Sequence, residues 1–167
     1  TNPSVGCVVV KNNKILSFAT TNYGGRPHAE SIALNKNKYN KGTSLYSTLE
    51  PCSHHGVTPP CTNAIIKHKV KRVYYSIEDK DSRTFNKTKK ILKSKKIVVI
   101  SGLQKQNVKN LYKEYNYIRS NKTPYIIGKI ASSSNLNILK SNYPITNKHS
   151  RNVSHILRFQ NHAILTS

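Results

Sequence analysis

Two cysteines nine positions apart, Cys52 and Cys61, enclose the segment SHHGVTPP, and the triplet His28-Ala29-Glu30 lies upstream of them. The chain has only six acids, and two of them sit in this pattern: Glu30 inside HAE, and Glu50 immediately before Pro51-Cys52. A histidine and a carboxylate two residues apart at a helix start can divide the work at a metal, the imidazole ligating and the carboxylate handling protons. Two later thiolates, one after a strand and one opening a helix, complete a three-donor set of His28, Cys52 and Cys61. Three protein donors leave one tetrahedral position open, the mark of a catalytic rather than a structural zinc. A helix N-terminus also favours thiolate over thiol, since its backbone dipoles stabilise the anion.

HAE alone occurs on many surface helices, and two buried thiols beside a solvated histidine would look similar in isolation. The combination of HAE, LEPC and a cysteine opening the next helix is far more specific. Zinc nucleobase deaminases carry H-x-E followed by P-C-x-x-C, with the glutamate as general acid/base and not a ligand. Here the first half and the Pro-Cys match, but eight residues separate the two cysteines. A disulfide loop is disfavoured, because three cysteines in a domain-sized chain make no disulfide framework. A reducing, cytoplasmic setting fits them better.

The surrounding sequence predicts an α/β architecture. VGCVVVKNNKILSFAT reads as a β-hairpin turning at Asn12-Asn13, residues that tolerate positive φ. HAESIALNKN reads as a helix, SLYSTL as a strand leading to Cys52, and CTNAIIKHK as a helix with Cys61 at its start. RVYYSI and KIVVISG are strands separated by the helical TKKILKSKK. Strands alternating with helices imply a sheet covered by helices. VKNLYKEYNYIR has helical spacing of Leu111, Tyr115 and Ile118, and SNKTP reads as a linker. Beyond it, YIIGKIASS reads as a strand, HSRNVSHILRFQ as a helix and HAILTS as a final strand. The expected division is therefore residues 1–121 and 122–167, the second piece too short to make a core alone.

NPSVGCVVVK, GGRPHAE and LYSTLEPCSHHGVTPPCTNAIIKHKVKRV together resemble the bifunctional deaminase–reductase family of riboflavin biosynthesis, whose first activity is diaminohydroxyphosphoribosylaminopyrimidine deamination. TPYIIGKIASS and SRNVSHILRFQNHAILTS resemble the start of that family's reductase. The resemblance implies a cytidine-deaminase-like three-layer α/β/α sandwich, then the beginning of a dihydrofolate-reductase-like α/β domain, in a chain truncated at both ends and lacking the first deaminase helix. It implies zinc on His28, Cys52 and Cys61, and Glu30 as proton shuttle. By the same resemblance Asn2 holds the base, His54 and Thr58 lie near the sugar phosphate, Arg158 binds the reductase substrate, and Ala131 touches NADPH. The implied enzyme is a hydrolase acting on a cyclic amidine C–N bond, and its substrate a phosphoribosyl-pyrimidine.

The sequence departs from that pattern at several places. Val57 replaces a customary Lys or Arg. The family's DPNPxVxGxG segment appears as DKDSRTFNKT, keeping Asp79 but losing the glycines. SLDG becomes Ser133-Ser134-Asn135-Leu136, and a customary tryptophan is Pro144. These changes leave the deaminase residues in place and put the reductase in doubt.

Lys and Arg number 28 against six acids, a formal net charge of +22. Such a charge suits an acidic partner, but the lysines are scattered among asparagines and isoleucines, all encoded by A/T-rich codons, and no aromatic stripe accompanies them. Nucleic acid is therefore disfavoured, and no apolar run is long enough to span a membrane. Two alternatives share the metal pattern. One is a tRNA or nucleoside deaminase, against which the long cysteine spacing and the reductase-like segment argue. The other is a basic zinc-stabilised nucleic-acid-binding module, which predicts a fourth protein ligand that His54 or His55 could supply. A homo-oligomer stays open on the sequence.

Overall fold

A computed structural model describes residues 2–37, 39–138 and 145–166. Five strands form one mixed sheet in the order β2-β1-β3-β4-β5. The hairpin is β1 (Gly6–Lys11) and β2 (Lys14–Thr20), and its turn residues Asn12 and Asn13 adopt φ of 49° and 58°. Two consecutive positive φ values give a turn whose twist matches that of the flanking strands. β1 also pairs antiparallel with β3 (Ser44–Leu49), while β4 (Arg72–Ile77) and β5 (Val98–Ser101) extend the sheet in parallel.

Helices α1 (Ala29–Asn35), α2 (Cys61–Lys67) and α3 (Lys87–Ser94) make the crossovers. α1 packs on β1 and β2, α2 on α1 and α3, and α3 on β5. Along β3 the alternation sends Leu45, Ser47 and Leu49 into the buried layer, and Ser47 bonds Glu30 of α1. The opposite face carries Tyr46, stacked on Tyr74 at 4.6 Å, and Thr48, whose hydroxyl lies 2.6 Å from that of Tyr112. Tyr112 is 1% exposed and donates onward to Ser4 O at 2.9 Å, so the helical segment after β5 covers that face. This is the expected α/β/α layering.

That segment is broken where one helix was expected. α4 (Lys105–Lys109), a 3-10 turn (Asn110–Tyr112) and α5 (Lys113–Asn121) follow one another. α5 runs on through Ser120 and Asn121, so part of the expected linker is helix.

The chain divides into compact units 1–125 and 126–167, a few residues beyond the boundary read from the sequence. The second unit holds α6 (Lys148–Gln160), capped by Asn147. Its two expected strands are not formed: YIIGKIASS and the described part of HAILTS are irregular. A strand needs a ladder partner for its backbone N–H and C=O groups, and the described residues of this unit supply none. Leu136, at the place of a customary glycine, has φ of 63°, a left-handed conformation that costs an L side chain about 1–2 kcal/mol. Pro144 lies outside the described residues.

Candidate metal centre and its cavity

β3 and the starts of α1 and α2 deliver the three donors to one place. His28 is the N-cap of α1 and Cys61 the first residue of α2, while Cys52 follows β3 by three residues. Their ligand atoms lie within 4.8 Å of one another. His28 Nδ1 is 3.3 Å from Cys61 Sγ and 3.4 Å from Cys52 Sγ. Tetrahedral bonds of about 2.0 Å to nitrogen and 2.3 Å to sulfur require N–S edges of roughly 3.6 Å, so the donor set fits zinc with a modest expansion.

The thiols are electrically unequal. Cys52 is pushed down to about 4, first by the hydrogen bond from the Cys61 thiol and then by His28 and the Cys61 N–H, against its burial. That N–H donates to Cys52 Sγ at 3.2 Å. Cys61 is raised, because its proton is held against Cys52 and the site is buried. His28 is raised chiefly by its hydrogen bond to Cys52, with burial opposing. One site thus offers a ready thiolate, an imidazole and a second sulfur, the soft and borderline donors zinc prefers.

Glu30 stands beside this set, 3% exposed. Its carboxylate accepts from Ser47 Oγ at 3.4 Å and lies 3.5 Å from Cys61 Sγ. Burial raises its pKa above the ordinary carboxylate range. Among the described residues no fourth side-chain donor joins the cluster. His54 Nδ1 is engaged instead by Thr84 Oγ1 at 3.0 Å, which weighs against a closed, purely structural site.

The cavity over these residues is lined by Asn2, His28, Glu30, Cys52 and His54 of the sequence-derived set. Asn2 Nδ2 donates to Gly25 O at 3.0 Å. Gly25 has φ of 82°, and a Cβ there would come within 2.5 Å of Asn2 Cβ, so this glycine serves both the turn and the close approach of Asn2. Thr58 accepts from Arg26 Nη1 at 3.0 Å. Ala131 and Arg158 belong to the second unit, Ala131 in an irregular stretch and Arg158 exposed on α6. They are outside this set.

Several lining residues were given no site role by the sequence: Arg26, Asp81, Arg83, Tyr115 and Arg119, together with Glu50, which was noted only for its place before Pro51-Cys52. Glu50 accepts from Asp79 N at 3.2 Å through Oε2, while Oε1 has no partner among the described residues. Asp79 accepts from Tyr115 at 2.7 Å, tying α5 to the cavity wall. Asp81 pairs with Arg83 at 2.6 Å and Arg119 at 3.5 Å. For Arg26 and Glu50 the available signal was adjacency, since each directly precedes a Pro and then a candidate ligand. For Arg119 and Tyr115 no local spacing points to the site.

Residues 1–77 match the family model of the cytidine and deoxycytidylate deaminase zinc-binding region. The chain is 38% identical to the riboflavin biosynthesis protein RibD of Aquifex aeolicus (strain VF5) over 98% of its own length and 47% of that protein's. To RibD of Escherichia coli (strain K12) it is 37% identical, covering 99% of this chain and 46% of that one. Among solved structures, Acinetobacter baumannii RibD (form 2) superposes with a TM-score of 0.85 at 35% identity, over 92% of this chain and 44% of that one. A Thermotoga maritima diaminohydroxyphosphoribosylaminopyrimidine deaminase/5-amino-6-(5-phosphoribosylamino)uracil reductase gives 0.83 at 34% identity, over 93% and 46%. The chain spans about half the length of these relatives.

Proposed function

The chain is RibD-like along nearly its whole length and carries the deaminase zinc-binding region over residues 1–77, and from that premise we propose that it hydrolytically deaminates a diaminopyrimidine ribosyl phosphate in riboflavin biosynthesis. The observation that carries this reading is the buried Glu30 carboxyl beside a three-donor set with no fourth protein ligand among the described residues. His28, Cys52 and Cys61 would hold the zinc, which when bound supplies Lewis acidity that brings a water's pKa towards neutrality.

Glu30 moves the protons. Its carboxylate takes one from the attacking water and gives it to the ring nitrogen, then assists transfer to the departing amine. Water's oxygen bonds the amino-bearing ring carbon, the C–N bond breaks, ammonia leaves and a carbonyl remains. Burial keeps the Glu30 pKa raised, which suits a group that must both accept and return a proton near neutral pH. Ser47 orients the carboxylate through its hydroxyl. Asn2, held by Gly25, meets the base edge, and His54 and Thr58 lie towards the sugar.

The second unit is read as the first part of the reductase, with Ala131 towards NADPH and Arg158 towards the reductase substrate. The three cysteines are free, in keeping with a reducing cytoplasm. Among the described residues no helix is long and apolar enough to cross a membrane. The test is incubation of the zinc-loaded chain with the diaminopyrimidine ribosyl phosphate, cytidine and tRNA. Ammonia from the ribosyl phosphate alone is expected. Release from cytidine or tRNA instead would overturn the assignment.

A further inference from the structure

Three arginines line the cavity over Glu30: Arg26, Arg83 and Arg119. Two are already committed, since Arg83 and Arg119 both pair with Asp81 at 2.6 and 3.5 Å. Arg26 makes no ion pair among the described residues. It is half-buried, and Nη1 donates to Thr58 Oγ1 at 3.0 Å, which fixes the guanidinium against the loop between Cys52 and Cys61. A Cβ on Gly56 would lie 3.2 Å from Nη2 and 3.6 Å from Nη1, so the missing side chain there makes room for the fork. The loop's own tip, Val57, is 87% exposed and apolar, and brings no cation.

The cavity's charges are therefore sorted by depth. Glu30, Glu50 and Asp79 are all at most 6% exposed and disfavour an anion in the interior, while Asp81 is covered by Arg83 and Arg119. The unpaired guanidinium lies on the loop side. A ligand with a neutral ring inward and a dianion outward matches that layout. We propose that Arg26 is the specificity-determining cation of this pocket, binding the terminal phosphomonoester of the substrate while Thr58 and Gly56 hold its guanidinium in place. Thr58 occupies one of five guanidinium N–H donors, leaving others for a charge-assisted contact to phosphate oxygens. This rests on the deaminase reading above.

The experiment compares the zinc-loaded full chain with its Arg26→Gln and Arg26→Lys variants, using the ribosyl phosphate and the corresponding dephosphorylated riboside as substrates. Arg26→Gln should raise KM for the phosphorylated substrate by about ten- to a hundredfold, with kcat little changed and the riboside KM unmoved. Arg26→Lys should recover part of the loss. An unchanged KM, or an equal rise for both substrates, overturns the proposal. Calorimetric titration with ribose 5-phosphate reads the same contact without turnover. Tighter binding of ribose 5-phosphate to the parent than to Arg26→Gln supports the contact, even if no substrate is deaminated and the deaminase reading falls. Equal binding to both proteins, or none to the parent, removes it.

Discussion

The two units of this chain treat the same kind of sequence in opposite ways. In residues 1–125, apolar β-branched runs such as CVVV and RVYY lie in a five-stranded sheet, and Val9, Leu45, Ile65, Val73 and Leu92 are wholly buried. In the second unit YIIGKI is just as strand-like, yet Ile126 is 85% and Ile130 76% exposed. No described residue of that unit is buried. A β-prone segment becomes a strand only when neighbours satisfy its backbone and cover one face. Without them it stays irregular, and among the described residues of that unit only the helix α6, which closes its own hydrogen bonds, is regular structure.

If function follows that division, the deepest effects come from the metal centre of the first unit. Cys61→Ser should lose the zinc, while Cys7→Ser should keep it, because Cys7 is a core thiol on β1 with 1% exposure. Glu30→Gln should retain zinc and lose about 10²–10⁴-fold in deamination rate, the usual weight of a general acid–base group. Phe159→Ser, on an exposed face of α6, should leave that rate unchanged. Metal analysis and ammonia release read all four. Full zinc occupancy in Cys61→Ser would remove it from the site, and a Glu30→Gln rate within a few-fold of the parent would remove Glu30 from proton transfer.

Core substitutions sharpen the contrast on the stability axis. Leu45→Ala, at 0% exposure in the central strand, should cost about 2–5 kcal/mol through lost burial and a residual cavity. Leu165→Ser, at 100% exposure, should stay within about 0.5 kcal/mol of the parent. Denaturant midpoints decide it. A comparable loss for Leu165→Ser would mean that the second unit does bury its apolar residues in solution.

The legibility of the sequence follows the same line. The hairpin and the crossovers were readable because each is local, paired asparagines and alternating runs, and the meeting of His28, Cys52 and Cys61 because each sits just beyond a strand or at a helix start. The failures lie where an outcome depends on distant partners. The strand pattern of YIIGKIASS does not report whether a neighbouring strand exists. The spacing of Leu111, Tyr115 and Ile118 does not reveal that Tyr112 turns into the sheet to meet Thr48, where a 3-10 turn separates α4 from α5. Arg119 reaches the cavity wall only because α5 brings it to Asp81, some forty residues earlier in the chain.

That long-range pair gives a pH prediction. Asp81 is held well below the usual carboxylate range, first by the Arg83 hydrogen bond, against its burial. A depressed folded pKa contributes stability above the unfolded value of about 3.9, and that stability is lost as pH falls towards the folded pKa. Asp79 runs the other way. Burial raises its pKa, so its contribution is full below the unfolded value and lost as pH rises through the folded one. Arg83 is largely exposed, which screens its share of the pair. Asp81→Asn should therefore cost about 1–2 kcal/mol at pH 7 and flatten the acid limb of the stability curve below about pH 4. An acid limb as steep as the parent's would place the acid sensitivity elsewhere.

The smallest effect separates the units most cleanly. Asn147 caps α6, its side chain accepting from Ser150 N at 2.8 Å, and loss of such a cap costs typically about 1 kcal/mol. In a cooperatively packed unit that loss would appear in the global unfolding transition. α6 has no buried residue along its 13 positions, and an isolated helix of that length is marginal in water. Asn147→Ala should therefore lower helix population locally, reducing amide-exchange protection in α6 by about fivefold, with the Tm of the first unit unchanged. If Asn147→Ala instead lowers that Tm, α6 is thermodynamically coupled to the sheet, and the division between a packed first unit and an exposed second one does not hold.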